Sequence, residues 1–386
     1  MIHNLSKDEK ELQAQARSVA ESLRMLARQA DRQGGYNNAW VEARQLLHDS
    51  GYLAMCVPKE YGGGGAGAMA LSLVTEQIAH VDGGLANILF HEAVAARAIL
   101  NAPGDLRERV FAKMVDGALT CIGITEPGAG SDLGAMTTTA MPSQGGYVIN
   151  GEKEISSLAG VADIFILWAM TDPGQGTRGI TAFVLDHKAE GIGISEHADT
   201  LGFRQLPSHH VTLADVAVRE SGRLGEEGTG LRVFADALNL GRLGGGVQAL
   251  GIASGAYERA LSFSKERETF GVPIIQHQAV QFKLAEMFME IEAMRAFAYA
   301  VARLMDASAD YGSREVATYV AALKSASSDM AMGVTEDAVQ VFGAQGIWKD
   351  NDVERLFRDA KVCQLVDGPN ELMKMRIGHS LIKGTV

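Results

Sequence analysis

Three short segments carry residue types and spacings suited to holding a planar or anionic ligand and moving a proton. The first is Ile124-Thr-Glu-Pro-Gly-Ala-Gly-Ser-Asp132, where Pro127, Gly128 and Gly130 enforce a tight loop. Thr125 and Ser131 add hydroxyls, and such a loop exposes backbone N–H groups, a donor set for a heterocycle edge or an anion. Read alone, it is equally an ordinary turn. The second is Arg267-Glu-Thr-Phe-Gly-Val-Pro-Ile-Ile-Gln-His-Gln278, in which one helix ends, a Phe-Gly-x-Pro turn follows and a new helix begins. Arg267 at that corner can bind a phosphate bidentately or make a structural salt bridge. The third runs through Gln340-Val-Phe-Gly-Ala-Gln-Gly346, Arg358-Asp-Ala-Lys361 and Val366-Asp-Gly-Pro-Asn-Glu371. Gly343 and Gly346 permit close approach of a ligand. Asp367 follows Leu365 and Val366 and precedes Gly-Pro, at a sharp break between helices. An apolar setting disfavours the charged carboxylate and raises its pKa, which suits a general base. The plain alternative is an N-cap for the helix near Asn370.

These segments need rigid elements to position them. Residues 1–118 read as helices, with apolar residues recurring through Leu12, Ala16, Val19, Leu23 and Leu26 and through Leu71, Val74 and Ile78. Four successive glycines, Gly62 to Gly65, break the helical pattern into a loop. From about 119 to 229 the chain changes to short β-rich runs separated by turn residues, a small antiparallel, barrel-like β domain. Asn150-Gly151 is read as a hairpin turn, and Gly145-Gly146 and Gly174-Gln-Gly176 punctuate in the same way. From 230 to 386 the chain is helical again, with periodic segments near 231–265, 276–307, 313–344 and 370–382, as in a four-helix bundle.

Composition bounds the function. The chain has 386 residues, 47% of them hydrophobic and 21% charged, enough for a large core and two or three domains. A net charge of −12 argues against a nucleic-acid binder. Cys56, Cys121 and Cys363 lack metal or disulfide spacing and read as free thiols of a reducing compartment. His209-His210 fall on a strand and alternate faces, so no metal site is expected. The start of the chain lacks an apolar signal core, and no run is long enough to span a bilayer. The expectation is a cytoplasmic protein.

In combination, these segments resemble the acyl-CoA dehydrogenase family along almost the whole length. Val57-Pro-Lys-Glu-Tyr-Gly-Gly63 looks like its PxxYGG loop, and the 124–132 segment matches its most specific motif fully. Asn150-Gly-Glu-Lys153 matches the NGxK element and Leu201-Gly-Phe-Arg204 resembles MGxR. Arg267 with Phe270 and Gln278, Gln340 with Gly343, and Arg358-Asp-Ala-Lys361 complete the series. The resemblance implies an α+β multidomain fold, usually a homotetramer (a homodimer being the smaller option). It also implies FAD, with Thr125, Ser131 and Ser157 at the flavin ring. Arg267, Phe270, Gln278, Gln340 and Gly343 would hold the ADP half, some across a subunit interface. The implied reaction is α,β-dehydrogenation of an acyl-CoA or acyl-carrier-protein thioester, with electron-transferring flavoprotein as a possible acceptor.

The sequence departs from the family where the base should be. Val366-Asp367-Gly368-Pro369 replaces Tyr/Phe-Glu-Gly-Thr, and the alternative base position is Gly241. Asp367 is therefore the expected base. Ile155 stands where many relatives have a flavin-edge Trp, and Ser157 where they have Thr. These departures point to a branched, cyclic or specialised acyl group. Ser131, His91, Arg242 and Gly368 are the expected substrate contacts, His91 by lying on the helix that floors the acyl pocket. Alternatives are a nitroalkane-oxidase-type or biosynthetic flavin oxidase or monooxygenase, or a non-catalytic flavin-binding protein.

Overall fold

The computed structural model describes residues 3–384. The outermost residues of the expected first and third domains, 1–2 and 385–386, lie outside them. The chain opens with helices α1 (Lys7–Gln33), α2 (Asn38–Asp49), α3 (Ala68–Ala79), α4 (Gly83–Ile99) and α5 (Gly104–Val115). A capping box starts α1: Ser6 accepts from the Glu9 N–H while the Glu9 carboxylate accepts from the Ser6 N–H. Helices α3 and α4 are apolar nearly all round and almost wholly buried, so they form the centre of the molecule. The expected glycine loop between α2 and α3 is present; a Cβ at Gly63 would lie 2.2 Å from the Val57 carbonyl oxygen.

The middle of the chain forms β1 (Thr120–Gly123), β2 (Thr139–Ser143), β3 (Gly146–Ser157), β4 (Ile164–Met170), β5 (Ile180–Asp186), β6 (Ile192–Ile194), β7 (Ser208–Arg219) and β8 (Arg223–Leu224). The strand order is β6-β7-β3-β2-β4-β5-β8, with β1 on β4. Most pairs are antiparallel, as expected, but β1 and β2 both run parallel to β4, so the sheet is mixed. The β2–β3 hairpin acts as the crossover that returns the chain for β4 to run alongside β1.

The Asn150-Gly151 pair is not a turn. It lies inside β3 opposite a bulge in β7: Ala214 and Asp215 both fall between the Ile149–Val216 and Gly151–Leu213 pairs, against Asn150 alone. A Cβ at Gly151 would sit 2.6 Å from Thr138 Oγ1. Asn150 and Asp215 hold the bulge through two mutual hydrogen bonds of 3.0 and 2.9 Å. The turn falls earlier, at Gly145, whose φ is +81°.

The rest is α6 (Gly230–Glu266), α7 (Gln278–Ala307), α8 (Arg314–Phe342), α9 (Asp352–Cys363) and α10 (Asn370–Ile382). Glycines weaken a helix interior, by roughly 1 kcal/mol each relative to alanine. In α6 they permit contact: Phe90 of α4 lies where a Gly244 Cβ would come within 2.3 Å, and Leu323 of α8 faces Gly246.

Buried charge pins the three parts together. Asp359 of α9 accepts from the backbone N–H groups of Phe203 (2.7 Å) and Gly83 (3.3 Å). Arg358 pairs with Asp31 and Glu354, and Arg355 with Asp352 and Asp82. The 201–204 and 358–361 motifs thus meet at one domain junction. Among the described residues no helix is long and apolar enough to cross a membrane.

Candidate active site

Asp367 sits in the short link between α9 and α10 with φ of +56°, followed by Gly368 at +96°. Aspartate tolerates this left-handed region better than most residues, yet the conformation costs energy and marks a constrained site. The link turns the carboxylate onto the glycine face of α6. A Cβ at Gly245 would lie 3.2 Å from Oδ2, and one at Gly241 would lie 3.9 Å from Oδ1. Oδ2 is buried and has no hydrogen-bond partner among the described residues. Burial raises the Asp367 pKa, against the pull of nearby Lys324 and Arg242. Helix α10 begins at Asn370 with Pro369 at its cap and no side-chain cap bond, which removes the N-cap reading of Asp367.

Two cations grip this link from behind. Arg242 Nε donates to the Asp367 carbonyl (3.3 Å) and Nη1 to Asn239 Oδ1 (2.8 Å). Arg242 thus holds the link's own backbone, and among the described residues it makes no ion pair with a carboxylate. Lys324 donates to the carbonyls of Gly368 (2.8 Å) and Gln364 (3.2 Å) and to Asn370 Oδ1 (3.0 Å). The sequence reading missed Lys324. Its signal was available: it is the sole charge in the α8 stretch 316–328. The N–H groups of Asp367 and Gly368 find no acceptor among the described residues.

The 124–132 loop shares an apolar cluster, through Ile124 and Ala129, with Val94 of α4, which also meets Gly241. Its anchor is Glu126, which accepts from Lys153 Nζ (2.7 Å) and the Thr137 N–H (2.6 Å). Burial opposes ionisation of Glu126, but these bonds win and bring its pKa down to about 2. The hydroxyls of Thr125 and Ser131 make no hydrogen bond among the described residues. A Cβ at Gly128 would meet nothing within 4 Å, so the loop has an open face. Ser157 Oγ is 3.4 Å from Ser208 Oγ, and Ile155 is 62% exposed at a φ of +55°.

The C-terminal candidates gather at one end of the bundle. Phe263 of α6 stacks on Phe342 of α8 at 4.2 Å, bringing the Arg267–Gln278 corner beside Gln340 and Gly343. Arg267 is exposed and has no carboxylate partner among the described residues, which removes the salt-bridge reading. Phe270 is 98% exposed at a φ of +53°. The side chains of Gln278 and Gln340 are exposed and unbonded, and Gly343 has a φ of +59°. An unpaired guanidinium, a bare aromatic ring and two free amides form an open cradle for a phosphorylated aromatic ligand. No hydrogen bond or ion pair joins this cradle to Thr125, Ser131 or Ser157 within the chain, among the described residues.

His91 is placed elsewhere. Its Nε2 donates to the Thr120 carbonyl at 3.1 Å, and Glu92 accepts from the Thr120 N–H and hydroxyl. The pair seals the seam between α4 and β1. Burial lowers the His91 pKa to about 4 and raises that of Glu92 to about 7, so His91 is neutral at physiological pH. Among the described residues no bond links His91 to Asp367, and its Nε2 is taken up by Thr120.

Comparison with known proteins assigns the architecture. Models of the acyl-CoA dehydrogenase family match its N-terminal domain at residues 6–118, its middle domain at 121–216 and its C-terminal domain at 228–382. Cyclohex-1-ene-1-carbonyl-CoA dehydrogenase of Syntrophus aciditrophicus is 35% identical over 99% of this chain and 91% of its own length. The 3-(aryl)acrylate reductase of Clostridium sporogenes is 34% identical over 89% of this chain and 90% of its own. The structure of butyryl-CoA dehydrogenase from Megasphaera elsdenii superposes with a TM-score of 0.92 at 32% identity, covering 98% of this chain and 99% of that one.

Proposed function

The chain belongs to the acyl-CoA dehydrogenase family, and from that premise we propose that it dehydrogenates an acyl thioester between Cα and Cβ with Asp367 as the base. One observation carries the role of Asp367: a buried carboxylate oxygen without a partner, aimed at a glycine-lined wall. An idle acid would normally be paired or solvated. Here the free oxygen is available to take the α proton. The unpaired N–H groups of Asp367 and Gly368 are the donors for the thioester carbonyl, whose oxygen gains charge as that proton leaves. Arg242 and Lys324 hold the carbonyls of the same two peptides to the rear.

The open cradle suits FAD. Thr125, Ser131 and Ser157 would hold its ring, and Arg267, Phe270, Gln278, Gln340 and Gly343 its ADP half. By the family resemblance some of these residues would act across a subunit interface, so that a second copy, in a homodimer or homotetramer, would complete each site. When bound, FAD supplies the acceptor for the β hydride. Asp367 takes the α proton, and with the hydride that bound FAD would accept from Cβ the balance is two hydrogens lost and one C=C bond gained.

Phe90 and Val94 of α4 pack on Gly244 and Gly241 beside the carboxylate. That apolar floor supports a compact acyl group, branched or cyclic, over a long chain. The named cyclic substrate of the Syntrophus relative supports the same reading. A carrier-protein thioester offers the same reacting atoms as a CoA thioester. Exposed Ile155, in place of the flavin-edge Trp, favours an electron acceptor other than the usual electron-transferring flavoprotein, oxygen included.

The test is an anaerobic titration of FAD-loaded protein with a panel of acyl-CoA thioesters, followed by the visible flavin band. Bleaching by one thioester, lost in Asp367→Asn, supports the proposal. Bleaching that survives in Asp367→Asn refutes the base. Failure of the whole panel refutes the CoA substrate.

A further inference from the structure

We infer that Lys324 is a positioning residue for the reaction, a buried ammonium that clamps the Asp367–Gly368 link through its backbone and orients the carboxylate toward substrate. The inference rests on the reading of Asp367 as the base. It starts from the burial of Lys324, which is 1% exposed in the middle of α8. An ammonium has three protons to donate and no capacity to accept. Here each proton has one acceptor: Gly368 O at 2.8 Å, Asn370 Oδ1 at 3.0 Å and Gln364 O at 3.2 Å. The acceptors come from the end of α9, the link itself and the start of α10, so one side chain ties together all three segments that bracket the base.

The clamp is itself braced. Asn370 Nδ2 donates to Ser328 Oγ (2.9 Å) and to Asp329 Oδ1 (2.8 Å), and Gln364 Nε2 donates to Asp329 Oδ1 (2.8 Å). Lys374 pairs with Asp329 at 3.0 Å on the outer side. All three acceptors on Lys324 are uncharged, so none neutralises it directly. Its charge is balanced through space by Asp367, which makes no hydrogen bond to it. An ammonium bonded to the carboxylate would hold Asp367 ionised and occupy its lone pairs. An ammonium bonded to the backbone beside it fixes the geometry and leaves both oxygens free.

The charged and titratable groups around this ammonium are Asp367 on the link, Cys363 on α9, Arg242 on α6 and Asp329 on α8 itself. Arg376 of α10 stands beyond Arg242. Burial brings the Lys324 pKa down to about 8. Deprotonation removes one of three donated bonds and the positive charge together, so the clamp slackens in the alkaline range. The rate then rises with pH as Asp367 ionises and falls again above about pH 8 as Lys324 loses its proton.

The experiment measures the anaerobic flavin-bleaching rate against pH for FAD-loaded wild type, Lys324→Met, Lys324→Gln and Lys324→Arg, with the best thioester of the panel. Misplacement of a catalytic group by about 1 Å costs on the order of 100-fold, and Lys324→Met is expected to lose about that in maximal rate. Its alkaline limb should vanish, and its acid limb should move to higher pH because a charge that favours the Asp367 carboxylate is gone. Lys324→Arg keeps the charge and should retain the lower acid limb. Lys324→Gln keeps donors without charge and should shift it. If Lys324→Met does not fold, this Arg and Gln contrast decides the question. Wild-type rates and both limbs unchanged in the variants would overturn the inference. Loss of flavin or of thermal stability in step with rate, with the limbs unmoved in the remaining active protein, would reduce Lys324 to a structural residue and overturn it too. Survival of bleaching in Asp367→Asn, by contrast, strikes the base and leaves the clamp without an object.

Discussion

Two buried lysines face two acids in this molecule, and the pairs are built in opposite ways. Lys153 is 0% exposed and donates directly to Glu126, which is held as a carboxylate by that bond and by Thr137 and Thr138. Lys324 is 1% exposed and stands near Asp367, but spends its protons on neutral acceptors. Glu126 is pulled down to a pKa of about 2, while burial drives Asp367 upward. A closed pair fixes a loop and takes no part in proton transfer. An open pair leaves an acid that can accept a proton. The contrast comes from where the ammonium's hydrogen bonds go, since both pairs set a buried lysine against a carboxylate.

The largest expected effect falls on the open pair. Asp367→Asn should cut the bleaching rate by about 10²–10⁴-fold, the usual worth of a general base. The same change removes a disfavoured buried charge but also the counter-charge of Lys324, so melting temperature should change little. Calorimetry alongside the titration checks both halves. Lys153→Met should do the reverse: little direct effect on proton removal, but about 3–5 kcal/mol of stability lost by stranding Glu126, read by denaturant unfolding.

A relocation sharpens the same contrast. A Gly241 side chain would point within 3.9 Å of the Asp367 carboxylate, so Gly241→Glu combined with Asp367→Gly should recover part of the lost rate. Val94, whose Cγ2 lies 3.0 Å from that Cβ, must give way, so recovery is expected to stay well below wild type. No recovery in a folded, flavin-loaded double variant would show that the position of the acid matters less than the link that carries it.

The pH dependence of stability separates the pairs more finely. Glu126 has a folded pKa below its ordinary value of 4.5, so its contribution is present above about pH 4.5. That contribution is lost as pH falls through about 2. Glu126→Gln should flatten that acid limb of melting temperature, and Asp367→Asn should not. The smallest effect is expected at His91, which is already neutral and bonded to Thr120. His91→Gln should leave the ranking of acyl groups unchanged in the thioester panel, and a changed ranking would restore it to the substrate site.

Much of this was legible in the sequence, for physical reasons that differ by region. The long C-terminal helices follow from periodicity and lack of proline, and Gln278–Ala307 and Arg314–Phe342 begin and end within two residues of the expected segments. Asp367 stood out through the resemblance of its segment to the family's base motif; its neighbours alone read equally as an N-cap, which the Pro369 cap of α10 removes. Asn150-Gly151 misled because the same dipeptide that makes a tight turn also fits inside a strand opposite a bulge in its neighbour. Only the approach of Thr138 and the Asp215 partner decide between them, and both are distant in sequence. The partners of Arg242 and His91, the Asp367 and Thr120 carbonyls, are backbone atoms that no motif displays, so these bonds were not legible. Lys324 was overlooked for the same reason.

The most direct test is the rate of anaerobic flavin bleaching by a single thioester, measured from about pH 5 to 10 in wild type and Asp367→Asn. Wild type should show an acid limb above the ordinary aspartate range, set by the buried carboxylate. Asp367→Asn should bind the thioester and bleach at least about 100-fold more slowly than wild type at every pH. A variant that bleaches along the wild-type profile would contradict the role of Asp367 outright.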